Sequence, residues 1–103
     1  MASYTIECKD RQCLVVLEGD LRASLVPDLQ ANLTKELEQG VDGVTFDLGK
    51  TVILDSSGIG LLIAAGNSLA RRQGAIRVIN VSQDILHLLQ AMRLVARLNV
   101  SGR

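Results

Sequence analysis

Short segments rich in β-branched residues alternate with segments of helical periodicity along this chain, and that alternation limits the folds open to it. Tyr4 to Cys8 and Cys13 to Glu18 indicate two strands joined by a hairpin turn. Leu29, Leu33 and Leu37 then recur every four residues, which is typical of one helix face. The full pattern predicts the order strand, strand, helix, strand, helix, strand, helix. This order is typical of an α/β domain with helices packed against a small mixed sheet of about four strands.

The second half of the chain continues the alternation. Val44 to Leu48 and Ala75 to Asn80 are the predicted third and fourth strands. The pattern at 95–100 fits either a last helical turn or a short strand, and we expect 101–103 to be frayed.

Helix boundaries are indicated by capping residues. Ser24 is a candidate N-cap for the first helix, Pro27 suits its first turn, and Gly40 should end it. The second helix is expected to begin at Asp55-Ser56-Ser57-Gly58, and Ser82 is a candidate N-cap for the third.

Length and composition favour one compact domain over residues 1–103. The chain has 103 residues, of which 48% are hydrophobic, with 11 basic and 11 acidic side chains and no net charge. A neutral chain with one Tyr, one Phe and no Trp lacks the features that nucleic-acid binders use, so we expect no nucleic-acid partner. No apolar run approaches the length of a membrane span and no secretory signal is present, so we expect a cytoplasmic protein with no membrane partner.

Two cysteines and one histidine are the only soft metal ligands. Without a secretory signal, Cys8 and Cys13 are expected to be reduced side chains rather than a disulfide. His87 is the only further soft ligand, so zinc would lack its usual set of four. We therefore expect neither a metal site nor a cofactor.

Three loops follow strands and are expected to share one surface, namely 19–27, 54–60 and 80–83. In the second of them, Asp55, Ser56 and Gly58 have an ordinary interpretation as a helix cap and a tight turn. The alternative is functional. A helix N-terminus tolerates an added phosphate, and a phosphoserine beside Asp55 would change the surface there without unfolding the helix.

The stretch from Val44 to Asn80 closely resembles the STAS domain of bacterial anti-sigma factor antagonists. The resemblance rests on Phe46-Asp47-Leu48, on Asp55-Ser56-Ser57-Gly58-Ile59-Gly60-Leu61-Leu62 and on Gly74-Ala75-Ile76-Arg77-Val78-Ile79-Asn80, with their spacing. It extends more loosely to Gly19-Asp20-Leu21 and to the third helix. It therefore covers nearly the whole chain and implies a STAS-like single domain.

The resemblance implies a partner switch and no enzymatic activity. An unphosphorylated antagonist binds an anti-sigma factor with a serine kinase domain, phosphorylation releases it, and a metal-dependent serine phosphatase resets it. The acceptor corresponds to Ser57. The implied partner-binding residues are Asp55, Ser56, Gly58, Ile59, Arg22 and Ser24.

Arg22 departs from the family, many of whose members have an acidic residue at that position. Its guanidinium is expected either to pair with a phosphate on Ser57 or to remain a solvated loop cation.

Two rival functions differ in class. An enzyme with Ser57 or Asp55 as nucleophile would lack an adjacent base and a Gly-x-Ser-x-Gly elbow. A STAS module that acts as a scaffold in a lipid-transport, transporter or stress-signalling assembly would need no hydroxyl at Ser57.

Overall fold

The computed structural model describes residues 3–103, and these form five strands and three helices. The strands are β1 (Tyr4–Lys9), β2 (Gln12–Leu17), β3 (Gly43–Asp47), β4 (Ala75–Val81) and β5 (Val100–Gly102). The helices are α1 (Val26–Glu38), α2 (Ser56–Ala70) and α3 (Gln83–Ala91). The predicted order of the first seven elements is confirmed.

All five strands form one sheet in the order β1-β2-β3-β4-β5. β1 and β2 pair antiparallel, whereas every other neighbouring pair is parallel. The mixed sheet with packed helices is therefore confirmed. Because β2, β3 and β4 are parallel, their carboxyl ends all lie at one edge, where loops can carry a site.

The chain ends in a strand rather than in the frayed segment that we expected. After a turn over 95–99, β5 pairs in parallel with β4, with Val78 opposite Val100 and Val81 opposite Gly102. The short strand that the pattern allowed over 95–100 therefore exists but lies later, at Val100–Gly102, in residues that were expected to be frayed. Leu98, fully buried, anchors the turn that precedes it.

Alternating burial gives the sheet one core face. Val15 and Leu17 of β2, Phe46 of β3 and Val78 of β4 have no exposed surface. The helices add apolar side chains to the same core, namely Leu29 and Leu33 of α1, Leu62 and Leu69 of α2, and Ile85 and Leu89 of α3. The period-four spacing that predicted α1 therefore identified its buried face.

Two of the three predicted helix starts are confirmed and one is wrong. Ser82 caps α3 by accepting a hydrogen bond from the Ile85 N–H at 3.2 Å. Ser24 does not cap α1, because a turn over 22–25, closed by the bond from Leu25 N–H to Arg22 O, moves the N-cap to Leu25. No helix in the described part of the chain combines the length and the apolar character needed to cross a membrane.

Cys8 and Cys13 form a disulfide, so the expectation of two reduced thiols is contradicted. The physical reason is the hairpin register, which sets Cys8 directly opposite Cys13 with their Cα atoms 4.0 Å apart. Redox reasoning from the absence of a signal sequence could not anticipate this proximity.

Candidate functional site: the entry of helix α2

The first turn of α2 presents the two serines of the candidate acceptor motif. Asp55 is the N-cap in extended conformation, and its Oδ1 accepts the Gly58 N–H at 2.9 Å. Ser56 and Ser57 follow as the first two helical residues, and both are exposed. The ordinary interpretation of Asp55 as a cap is therefore confirmed, and the cap leaves the Ser57 side chain at the surface.

Two loops are locked together at this helix entry. We call residues 19–25 the facing loop and residues 48–57 the acceptor loop. Asp20 of the facing loop accepts the N–H groups of Val52 (3.0 Å) and Ile53 (2.9 Å) through Oδ1. In return, Asp55 of the acceptor loop accepts the Ala23 N–H through Oδ2 at 2.9 Å. Each loop thus supplies one carboxylate that binds the backbone of the other.

Backbone hydrogen bonds run between the same loops. The Leu21 N–H donates to Ile53 O at 3.0 Å, and the Asp55 N–H donates to Leu21 O at 3.2 Å. The buried Thr51 hydroxyl donates to Gly19 O at 2.8 Å. The position of the Ser57 backbone therefore depends on contacts between loops as well as on α2 itself.

The two carboxylates are stabilised in their charged form. Hydrogen bonds from Ile53 and Val52 N–H lower the pKa of Asp20 below its ordinary 3.8, and Arg22 lowers it further. Hydrogen bonds from Gly58, Ala23 and Ser57 N–H lower the pKa of Asp55 in the same way, with a smaller contribution from the Arg22 charge.

Arg22 is a solvent-exposed loop cation that pairs with Asp20. Its Nη2 lies 3.2 Å from Asp20 Oδ2, and about half of the side chain, 53%, is exposed. The guanidinium thus lies in the facing loop with one carboxylate partner, and it acts electrostatically on Asp55. An exposed pair of this kind exchanges partners at small cost, because such pairs contribute only about 0–1 kcal/mol.

The loop that leads into the serines also exposes apolar side chains. Val52 is 74% exposed and Ile53 44% exposed. We call the exposed side chains at this place the helix-entry surface, which consists of Arg22, Ser24, Val52, Ile53, Ser56 and Ser57. The N–H groups of Val52 and Ile53 bind Asp20 and no neighbouring strand.

Gly58 and Ile59, expected to contact a partner, are both buried. Ile59 is only 6% exposed and packs in the hydrophobic core, which leaves it little surface for a partner. A Cβ on Gly58 would lie 2.8 Å from Leu21 O and 2.9 Å from Leu54 Cδ1, so glycine is needed for the close approach of α2 to the two loops. Both residues position the helix-entry surface from beneath.

The third predicted loop lies beside this site. The Leu48 N–H donates to Ile79 O at 3.0 Å, and Asn80 faces Gly49. His87 is exposed on α3.

Asp20 is a residue of the site that the sequence did not predict. A carboxylate in a Gly-Asp turn does not indicate which distant N–H groups it binds.

The architecture is that of a STAS domain. The sequence pattern of the family described as "Mlab, STAS domain" matches residues 4–99, and the chain belongs to this family. No curated protein sequence matches the chain significantly.

Solved structures share the fold. The unphosphorylated anti-sigma factor antagonist SpoIIAA is 24% identical, with 84% of this chain and 81% of that chain covered and a TM-score of 0.76. The phosphorylated form of the Bacillus cell fate determinant SpoIIAA is 20% identical, with 97% of this chain and 90% of that chain covered and a TM-score of 0.81. An anti-sigma factor antagonist candidate from Thermotoga maritima is 13% identical, with 94% of this chain and 84% of that chain covered and a TM-score of 0.87.

Replacing Gly58 should show how tightly the helix entry is packed. We expect Gly58→Ala to destabilise the protein by about 1–3 kcal/mol, because the added methyl group overpacks the contact with Leu21 and Leu54. Gly60→Ala is the matched control two residues along the same helix, with nothing within 4 Å of its added Cβ. It should be neutral or stabilising by up to about 1 kcal/mol. Urea unfolding measures both, and equal effects would contradict the packing described here.

Asp20 and Asp55 should make the free energy of unfolding depend on pH in the acid range. Because the pKa values of Asp20 and Asp55 are lowered from 3.8 by folding, the folded state binds fewer protons than the unfolded state. Their contribution is fully present above the unfolded value and is lost as the pH falls from 3.8 through the lowered values. The double variant Asp20→Asn/Asp55→Asn should lose less stability than the wild type over that pH range, as measured by urea midpoints. Glu38→Gln, which changes an exposed carboxylate on α1, should keep the wild-type slope.

Proposed function

We propose that this chain is an anti-sigma factor antagonist whose partner binding is controlled by phosphorylation of Ser57. In the unphosphorylated state the helix-entry surface binds an anti-sigma factor that carries a serine kinase domain. Phosphorylation of Ser57 releases that partner, and a metal-dependent serine phosphatase restores binding. The chain acts as substrate and ligand in the cytoplasm, and the phosphoryl chemistry belongs to the two enzymes.

The exposure of Ser57 on a firmly held helix entry is the observation that carries this proposal. A kinase needs an accessible hydroxyl, and Ser57 is exposed while Asp55 fixes the backbone around it through N–H groups of Gly58 and Ala23. The N-terminus of a helix favours a nearby negative charge by about 0.3–1 kcal/mol. A phosphate on Ser57 is therefore compatible with α2.

The same phosphate would alter the surface offered to a partner. Val52 and Ile53 present exposed apolar side chains in the loop that leads into the serines, which suits a partner surface that is partly apolar. A phosphoserine adds about 1.5–2 negative charges and a tightly held hydration shell there. Docking of an apolar or acidic partner would then be opposed although the fold persists.

The comparisons add support from the fold. SpoIIAA has been solved in unphosphorylated and phosphorylated forms, so that antagonist accepts a phosphate. At 24% and 20% identity the likeness concerns the fold. The assignment of Ser57 as acceptor comes from the resemblance of Asp55-Ser56-Ser57-Gly58 to the family motif, and the exposed place of Ser57 at the α2 entry is compatible with it.

A scaffold without phosphorylation is the second candidate. It is favoured by the family match, whose description names Mlab and no anti-sigma factor antagonist. Phosphopeptide mapping of the protein purified from its native cell separates the two functions. Phosphate on Ser57 supports the switch, and its absence under all growth and stress conditions supports the scaffold.

Substitutions of Ser57 should fix the two states of the switch. We expect Ser57→Ala to capture its partner from native lysate and to be inert to the partner's kinase activity. Ser57→Asp should bind the captured partner at least about tenfold more weakly, a difference of about 1.4 kcal/mol. Its urea midpoint should stay near that of the wild type.

Gln90→Glu is the control, because Gln90 is exposed near the carboxyl end of α3, outside α2 and the two loops. It adds the same charge and should bind as the wild type does. Titration calorimetry with the captured partner measures all three affinities. Equal affinity of Ser57→Ala and Ser57→Asp would overturn the switch.

A further inference from the structure

The Cys8–Cys13 disulfide lies at the end of the sheet opposite Ser57. The hairpin turn that follows Cys8 has Asp10 and Arg11 at φ values of 54° and 68°, as in the tight turns that match strand twist. Pairing from Tyr4 opposite Leu17 to Lys9 opposite Gln12 holds the two cysteines in register. The strands therefore keep the sulfurs adjacent whether or not they are bonded, which gives the second thiol a high effective concentration.

The two sulfurs differ in access. Cys8 is exposed on the edge strand β1, whereas Cys13 on β2 is only 3% exposed. Thiol–disulfide exchange requires direct approach of the attacking thiolate to one sulfur. An external thiol can therefore reach the Cys8 sulfur, whereas the protein shields the Cys13 sulfur from it.

A carboxylate lies beside this disulfide. An oxygen of Glu36 on α1 and the sulfurs of Cys8 and Cys13 all lie within 4.8 Å of one another. A thiolate formed there would be repelled by the negative charge. Glu36 therefore opposes release of Cys13 as a thiolate and slows reduction of the disulfide.

We propose that Cys8 and Cys13 form a reversible thiol–disulfide site that exchanges with a low-molecular-weight thiol through Cys8. An external thiolate attacks Cys8 Sγ, the Sγ–Sγ bond breaks, and Cys13 leaves with the electron pair and takes up a proton. A second external thiol then attacks the external sulfur of the mixed disulfide. The products are the protein dithiol and one external disulfide, and oxidation is the reverse reaction. The site is independent of Ser57 phosphorylation.

Redox equilibration tests the effect of the hairpin. The protein is equilibrated in reduced and oxidised glutathione, its free thiols are trapped with a maleimide, and the masses are counted. The measured quantity is the ratio of the squared concentration of reduced glutathione to the concentration of oxidised glutathione at which half of the protein is reduced. This ratio should be at least about tenfold higher for the folded protein than for the urea-unfolded chain. Equal ratios would overturn the proposal, as would a folded protein that stays reduced in oxidised glutathione.

Single-cysteine variants test which sulfur exchanges. Cys13→Ser leaves Cys8 and should form a mixed disulfide with oxidised glutathione at least about tenfold faster than Cys8→Ser, which leaves Cys13. Should either variant fail to fold, the mixed disulfide is mapped in wild type quenched early in reduction. Glutathione on Cys8 supports the proposal, whereas glutathione on Cys13 or equal rates would overturn it.

The variant Glu36→Gln tests whether the negative charge of Glu36 slows reduction of the disulfide. This variant should be reduced about threefold or more faster than wild type, because the departing Cys13 thiolate is no longer repelled. Glu38→Gln removes an exposed carboxylate from the same helix and should leave the rate unchanged. Circular dichroism shows whether both variants keep the native fold. A Glu36→Gln rate equal to that of wild type would remove the role assigned to Glu36.

Discussion

The reciprocal binding of Asp20 and Asp55 to the backbone of each other's loop is the interaction on which the helix entry depends. Asp20 holds the N–H groups of Val52 and Ile53, and Asp55 holds that of Ala23 while capping α2. Without these bonds, several backbone donors would lose their partners. The carboxylates thus bring two loops, 19–25 and 48–57, into one rigid surface.

That arrangement separates the support of the site from its exposed part. Gly58 and Ile59 are buried and set the distance between α2 and the loops, while Ser57 and Ile53 face solvent. A modification at Ser57 can then change the surface without disturbing the core. The hairpin disulfide lies at the other end of the sheet, so the proposed redox chemistry and the proposed phosphorylation act on different parts of the molecule.

Much of the fold followed from local patterns, and the errors share one cause. The first four strands, three helices and the cap at Ser82 were predictable because strand composition, helical periodicity and capping are local signals. The start of α1, the position of β5 and the disulfide were not, because each depends on a turn or on strand register. The role of Ser57 stays a prediction, with which its exposure is compatible, whereas the expected partner contact Ile59 is buried.

The sequence by itself determined an α/β architecture, a capped second helix and a serine in its first turn. The tertiary structure alone decided which residues support that serine and which surround it at the surface. Asp20 binds N–H groups more than thirty residues away, and Val52, one of the two donors, has an exposed side chain. Contacts between residues so distant in sequence leave no local periodicity, so only the folded chain reveals them.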